Sequence, residues 1–191
     1  MKTIPTFILT LFFTVLFTTN LVGQESIAIH ISKYPQSVDD FLLLRDQLAN
    51  TPEGGAALTI IALDAYVKNH PDALKFLTLI LSQNNLQQSN SPNAYKGYEP
   101  SKNYFNYHFG RMQGKPSFME CYIINNQITF RRNQFSIINE NQIKTFVLSN
   151  VSSMSPRPIT REKNDKGIWK AKELSSLFLG CPEQKKAKDD L

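Results

Sequence analysis

Residues 155–180, SPRPITREKNDKGIWKAKELSSLFLG, decide how the second half of the chain folds. The stretch predicts two strands joined by a tight turn at residues 164–167, where Gly167 can adopt the positive φ that a hairpin turn requires. The second strand alternates, with Trp169 on one face and lysine side chains on the other. Because lysine is seldom buried, we predict that the face carrying Trp169 packs against the core.

The composition of the chain is that of an ordinary globular protein. It has 191 residues, of which 41% are hydrophobic and 19% are charged, and this length suits one domain with a substantial core. The first 95 residues carry 5 basic and 7 acidic side chains, whereas the remaining 96 carry 16 and 9. A basic half is typical either of an anionic partner or of a solvated, lysine-rich sheet face, and we favour the sheet face.

The chain opens with the layout of a secretory signal peptide. A short positive start at Lys2 precedes residues 3–24, which carry no charge. We predict cleavage after Gly23, so that residues 1–23 are the leader. An uncleaved membrane anchor is the alternative, but the missing basic stop after the apolar run disfavours it. No cysteine lies near the end of the leader, which excludes a lipoprotein anchor, and we expect no stable membrane insertion after cleavage.

Three helices are predicted in the first half. Ser37 and Thr51 are suited to cap the first two, and Pro52 stands at the first position of the second. The second helix contains Gly54 and Gly55 in its first turn, where each glycine costs about 1 kcal/mol relative to alanine. Close approach of another backbone is one explanation, and a phosphate cradle at the helix start is the sharper one. The third helix is predicted from the apolar residues between positions 74 and 81.

The second half changes to the two-residue period of strands. We expect a polar loop at residues 83–100, then strands at residues 103–109, 118–124 and 127–131, with two more strands before the final hairpin. The connections are too short for parallel crossovers. The predicted fold class is therefore α+β, with three N-terminal helices packed on a curved, mostly antiparallel C-terminal sheet. This single domain is expected to span residues 26–182, followed by a charged, disordered tail at residues 183–191.

Several short motifs resemble an uncharacterised bacterial family, a domain of unknown function. The combination of these motifs is more specific than any single motif. The motifs are YPQSVDDF at 34–41, TPEGGAA at 51–57, YKGY at 95–98, SPRPIT at 155–160, KNDKGIWKA at 163–171 and SSL at 175–177. The resemblance covers residues 34–180 and implies no activity, so no catalytic residue is carried over. The chain departs from the expected pattern at Arg161, where relatives are expected to have an apolar residue. At the level of fold alone, the predicted layout is also similar to nuclear transport factor 2-like proteins.

Few residues suggest catalytic chemistry. His108, among aromatic residues of a predicted strand, and Glu120 are the candidates for an acid–base pair, although a structural role for His108 is favoured. The two cysteines, Cys121 and Cys181, lack any metal-ligand spacing, so no metal and no cofactor is expected. In an oxidising compartment they can form a disulfide, whereas Cys121 can equally be a buried thiol of a strand.

The sequence therefore predicts an exported bacterial protein, periplasmic or extracellular, whose ligand or substrate is unknown. We favour a non-enzymatic module that binds a small ligand or an envelope protein through the concave sheet. The alternative is a small hydrolase or isomerase with a pocket on the same sheet. The aromatic and basic residues at 104–132 are typical of nucleic-acid platforms, but burial of the aromatics explains them for an exported chain, and no nucleic-acid partner is expected.

Overall fold

A computed structural model describes residues 26–109, 116–174 and 176–183 of the chain. Residues 1–25, 110–115, 175 and 184–191 lie outside the described residues; they include the predicted leader at residues 1–23 and all but the first residue of the predicted tail at residues 183–191. In chain order, the helices and strands are β1 (Ser26–His30), α1 (Val38–Leu48), α2 (Pro52–Val67), α3 (Ala73–Ile80), β2 (Leu86–Gln88), β3 (Tyr98–Pro100), α4 (Lys102–Phe109), α5 (Phe118–Tyr122), β4 (Gln127–Arg131), β5 (Ile137–Asn139), β6 (Gln142–Val147), β7 (Arg157–Lys163) and β8 (Trp169–Glu173).

The fold is α+β, with three N-terminal helices packed on an open antiparallel sheet. The sheet has six strands in the order β1, β4, β6, β7, β8, with β5 also paired to β6. β1 comes from the start of the described chain and pairs with β4, so the sheet is not confined to the second half. The buried apolar side chains of helices and sheet form one hydrophobic cluster.

The predicted helix starts are confirmed. The Asp40 amide donates to the Ser37 hydroxyl at 3.1 Å, and the Gly54 amide donates to the Thr51 hydroxyl at 3.1 Å. Each cap satisfies an amide that has no partner within its helix. α2 then runs through the centre of the molecule and is buried over most of its length.

The two glycines of α2 allow neighbouring backbones to approach it. A Cβ at Gly54 would lie 1.9 Å from the Leu48 carbonyl oxygen, and one at Gly55 would lie 2.5 Å from the Trp169 carbonyl oxygen. Alanine at either position would overlap with these backbone atoms. Close backbone approach, the simpler of the two explanations from sequence, accounts for both glycines.

The final hairpin has the predicted faces. Trp169 is 6% exposed and Ala171 is fully buried, whereas Lys170 and Lys172 are partly exposed. Gly167 has φ of +77°, as the turn requires. These residues therefore confirm the prediction that the tryptophan face packs against the core.

Two predicted strands are wrong, because both segments are helices. Residues 103–109 lie in α4, where the Ser101 hydroxyl accepts a hydrogen bond from the Tyr104 amide at 3.3 Å. Residues 118–122 form α5, where the Ser117 hydroxyl accepts from the Glu120 amide at 3.3 Å. These caps, together with buried side chains three and four positions apart, outweigh the apparent two-residue alternation.

The polar segment at 83–100 is also more regular than predicted. A 3-10 turn at Gln83–Asn85 leads into a small antiparallel sheet of β2 and β3. This sheet lies against α3, so the segment covers one end of the core.

Candidate functional site

A groove of about 560 Å³ lies between the end of α3, the β2–β3 connection and the turn of the β7–β8 hairpin. We call it the lysine–tyrosine groove. Besides residues from α3 and the turn after it, its lining includes Tyr95, Lys96, Tyr98, Asn164, Asp165, Lys166 and Lys170. Its volume is in the range of small-molecule sites. The groove lies beside the end of a hairpin, and the ligand site expected on the concave sheet stays a prediction.

Lys96 reaches the groove from a turn that holds its backbone in an unfavourable conformation. The Tyr95 amide donates to the Tyr98 carbonyl at 2.8 Å and the Tyr98 amide donates back at 3.1 Å. Lys96 and Gly97 between them have φ of 51° and 80°, the pattern of a type I′ turn, which favours asparagine and glycine. A lysine in the left-handed region carries about 1–2 kcal/mol of backbone strain. Such strain is commonest where a side chain has a functional position.

The opposite rim is braced by the side chain of Asn164. Its Oδ1 accepts hydrogen bonds from the amides of Lys166 at 3.1 Å and Ile168 at 2.9 Å. The Gly167 amide also donates to the Asn164 carbonyl at 2.9 Å. These three hydrogen bonds close the turn, which places Asp165 and Lys166 at the edge of the groove.

Lys170 differs from the other two lysines because it is mostly buried. Its ammonium donates a hydrogen bond to the Leu79 carbonyl near the end of α3, where a cation also interacts favourably with the helix dipole. Burial, with smaller contributions from Arg45 and Arg161, lowers the pKa of Lys170 to about 8. At neutral pH the side chain still carries its charge, and it has given up much of its hydration. A dehydrated cation in a groove is favourably placed to bind an anion.

The two sequence-predicted acid–base residues occupy different environments. His108 lies on α4 rather than on a strand, is 4% exposed, and packs against the rings of Tyr104 and Tyr107 at centroid distances of 4.1 and 4.8 Å. Glu120 lies in the first turn of α5 with an exposed side chain. Neither residue is part of the lining of the lysine–tyrosine groove. Their role as an acid–base pair stays a prediction.

The two cysteines are joined in the structure. Cys121 on α5 and Cys181 form a disulfide with a Cα–Cα distance of 5.4 Å. Cys121 is fully buried and lies on a helix, whereas the sequence predicted a strand there. The alternative prediction, a free buried thiol, is wrong. The bond therefore links the segment after β8 to α5, which precedes β4.

Sequence reasoning missed a buried carboxylate in the middle of α2. Asp64 is 2% exposed, and its Oδ2 lies 2.6 Å from the ammonium of Lys68. Burial is the main cause that raises its pKa. The signal was present in the sequence, since Asp64 is the one charged residue of α2 beyond Glu53. A second carboxylate of this kind is Glu53 itself, which forms a two-pronged ion pair with Arg132 at 2.6 and 2.7 Å.

The described ranges contain no group of three or more histidine, cysteine, aspartate or glutamate side chains that could hold a metal ion. Within the same ranges, we found no helix with the length and apolarity required to cross a bilayer.

Comparisons with known proteins give one match. A family model described as a domain of unknown function (DUF6935) matches residues 33–185, which confirms the predicted resemblance to a domain of unknown function. No curated protein and no solved structure matches the chain. The similarity to nuclear transport factor 2-like proteins therefore stays a prediction.

Proposed function

The chain belongs to the family described as a domain of unknown function (DUF6935), and we propose that it is an exported, non-enzymatic module that binds a small anionic ligand in the lysine–tyrosine groove. One observation carries this proposal. The motifs at 95–98 and 163–171, which lie far apart in the sequence, supply most of the polar lining of one groove.

The charge of the groove favours an anion. Its lining includes three lysines, namely Lys96, Lys166 and Lys170, and one carboxylate, Asp165. Lys96 and Lys166 are exposed at the rim and attract a charged ligand over a distance comparable with the Debye length. Lys170 is dehydrated and therefore gains more from direct contact with the bound anion. The Lys96 ammonium lies over the Tyr95 ring, 5.5 Å from its centroid, and Tyr98 adds a face on which an apolar or cyclic part of the ligand can pack.

Two features support export to the periplasm or the outside of the cell. The sequence of residues 1–23 has the layout of a signal peptide, and the Cys121–Cys181 disulfide is of a kind that persists in oxidising compartments. An envelope protein remains the alternative partner to a small ligand. N-terminal sequencing of the exported protein tests the leader, and we expect the mature chain to begin at Gln24.

Calorimetric titration of the mature protein with phosphate, citrate and glucuronate tests the binding function. We expect saturable binding of at least one of these anions, accompanied by a change in the fluorescence of Trp169, whose neighbour Lys170 lines the groove. Replacing Lys96 or Lys170 by glutamine should weaken binding at least tenfold, because each loses a charge in the groove. The control is Lys102→Gln, which removes an exposed lysine at the start of α4 outside this groove. Equal weakening in the control would show that binding depends on net charge alone and would refute the proposed site.

A further inference from the structure

We propose that the lysine–tyrosine groove continues into a second groove, and that together they bind an oligosaccharide with one acidic sugar at its end. This inference rests on the proposed function and names the class of its ligand. The second groove has a volume of about 640 Å³ and is open to solvent. Four of its eight lining residues are amides, namely Asn84, Asn139, Asn141 and Gln142, and we call it the amide groove.

Residues close together in the chain line the two grooves at three separate places. At each place, one residue lines the lysine–tyrosine groove and a residue one or two positions away lines the amide groove; the pairs are Gln83 and Asn84, Asn164 and Lys163, and Lys170 and Lys172. The two lysines share a face of β8, where alternate residues are about 7 Å apart. From these three pairs we infer one continuous surface rather than two unrelated depressions.

The two parts of this surface have different charges. The lysine–tyrosine groove has an excess of positive charge, as described above. In the amide groove, Glu140 and Glu162 balance Lys163 and Lys172, and the Lys172 ammonium lies 3.2 Å from the Glu162 carboxylate. A ligand that matches both parts is anionic at one end and neutral but polar along the rest.

An oligosaccharide has the required chemistry. Each amide side chain offers both donors and an acceptor, and each sugar hydroxyl can act as either. The carboxylate of a terminal uronic acid is suited to the lysines, and the ring of a sugar can pack on the face of Tyr98. An open surface is also suited to a chain that extends beyond the protein.

Two other elongated ligands fit less well. A nucleic acid or polyuronate would place a negative charge on every unit, including those beside Glu140 and Glu162. A peptide that extends the sheet would need a free strand edge, but the outer edge of β8 is already occupied. The Ser82 amide donates to the Ala171 carbonyl at 2.8 Å, and the Asn85 side chain donates to the Lys172 carbonyl at 2.9 Å.

The test is calorimetric titration of the mature protein with glucuronic acid and with glucuronic acid linked to one, two or three xylose units. We expect the affinity to rise with length, about tenfold for a sugar that gains a pair of hydrogen bonds in the amide groove, and then to level off. Neutral xylotetraose should bind at least tenfold more weakly than the acidic oligomer of equal length. Tetragalacturonate should bind no better than that oligomer, and tighter binding would overturn the assignment to a ligand with one charge.

Variants separate the two grooves. Asn84→Ala combined with Asn141→Ala changes two exposed side chains, and we expect it to remove the gain with length while leaving the affinity for glucuronic acid unchanged. Asn103→Ala, an exposed asparagine on α4 that lines neither groove, is the matched control and should have no effect. If glucuronic acid, phosphate or citrate binds but added sugars do not raise the affinity, the assignment of an oligosaccharide ligand is wrong and the proposed anion-binding function stands. If none of the small anions or oligomers binds, both proposals fail.

Discussion

Arg161 on β7 donates a hydrogen bond of 2.5 Å to the hydroxyl of Thr59 on α2, and both side chains are fully excluded from solvent. A second hydrogen bond reaches the Trp169 carbonyl. No ion pair of the described residues includes Arg161, and its Nε has no hydrogen-bond partner among them. Burial lowers the pKa of this guanidinium to about 9. The chain thus keeps a desolvated cation where an apolar residue was expected.

Arg161→Met is expected to increase the free energy of unfolding at pH 7 by about 1–3 kcal/mol. Methionine adapts to the same space without the desolvation penalty, although the Trp169 carbonyl loses its partner. Urea denaturation measures the change, and Arg131→Met, at an exposed position of β4, should remain within about 0.5 kcal/mol of the parent. A loss of stability in Arg161→Met would mean that the two hydrogen bonds outweigh the desolvation of the cation.

Gly55→Ala is expected to destabilise the protein by about 1–3 kcal/mol. Helix propensity alone predicts a gain of about 1 kcal/mol for this change, so the sign of the effect decides between propensity and packing. The new methyl group would lie 2.5 Å from both the Trp169 carbonyl oxygen and Nη2 of Arg161, and the carbonyl belongs to β8, where the Trp169 amide donates to the Ala49 carbonyl at 2.8 Å. Thermal denaturation gives the sign, and a higher melting temperature would show that β8 moves away from α2 without penalty.

Lys96→Asn is expected to stabilise the fold while it weakens the binding of anions. Asparagine followed by glycine is favoured in a type I′ turn, so the change should relieve about 1 kcal/mol of the strain at this position. The same change removes one amino group of the groove. Denaturation and calorimetry on one sample measure both effects. Lys96→Gln removes the charge without the conformational benefit, so it should weaken binding without the gain in stability.

Binding of glucuronate is expected to weaken as the pH rises through about 8. Burial lowers the pKa of Lys170 to about 8, so the side chain is mainly charged at pH 7 and mainly neutral at pH 9. Loss of this one charge should lower the affinity about tenfold or more. Lys170→Met should bind more weakly at pH 7 and vary less over this interval. The same pH dependence in the parent and in Lys170→Met would mean that another group controls binding.

Removing the disulfide is expected to lower the free energy of unfolding by about 2–4 kcal/mol. The bond connects residues 60 positions apart, and without it the unfolded chain gains conformational freedom. The measurement is urea denaturation of the double variant Cys121→Ser with Cys181→Ser, with and without a thiol reductant. Reductant should destabilise the parent and leave the double variant unchanged. A double variant as stable as the oxidised parent would show that packing around α5 is sufficient.

The parts of the fold that follow from local chemistry were predictable. The caps at Ser37 and Thr51, and the glycine of the final turn, each act through neighbours within a few residues. The same chemistry was available for α5, since Ser117 and Glu120 have the spacing of a capping box. The error there came from giving hydrophobic alternation more weight than the cap.

The candidate groove was not predictable, because it depends on contacts between distant segments. Alternation correctly placed Lys170 on the face opposite Trp169, but its burial is caused by the end of α3, 91 residues earlier in the sequence. The backbone strain at Lys96 depends on the two hydrogen bonds that close its turn. A lysine followed by a glycine in the sequence does not indicate that these hydrogen bonds form. The motifs at 95–98 and 163–171 were recognised in the sequence, but the fold was needed to show that both segments line one groove.

The position of the disulfide also determines how the protein would respond to a pulling force. Strands β4 to β8 lie between Cys121 and Cys181, so a tension applied at the two ends of the chain passes from α5 through the sulfur atoms and bypasses them. Only the covalent segments outside this closed loop, with β1 and helices α1 to α4, can lengthen. An oxidised protein stretched from its ends would therefore reach a shorter extension than a reduced one. The difference is the contour length of the residues in the loop.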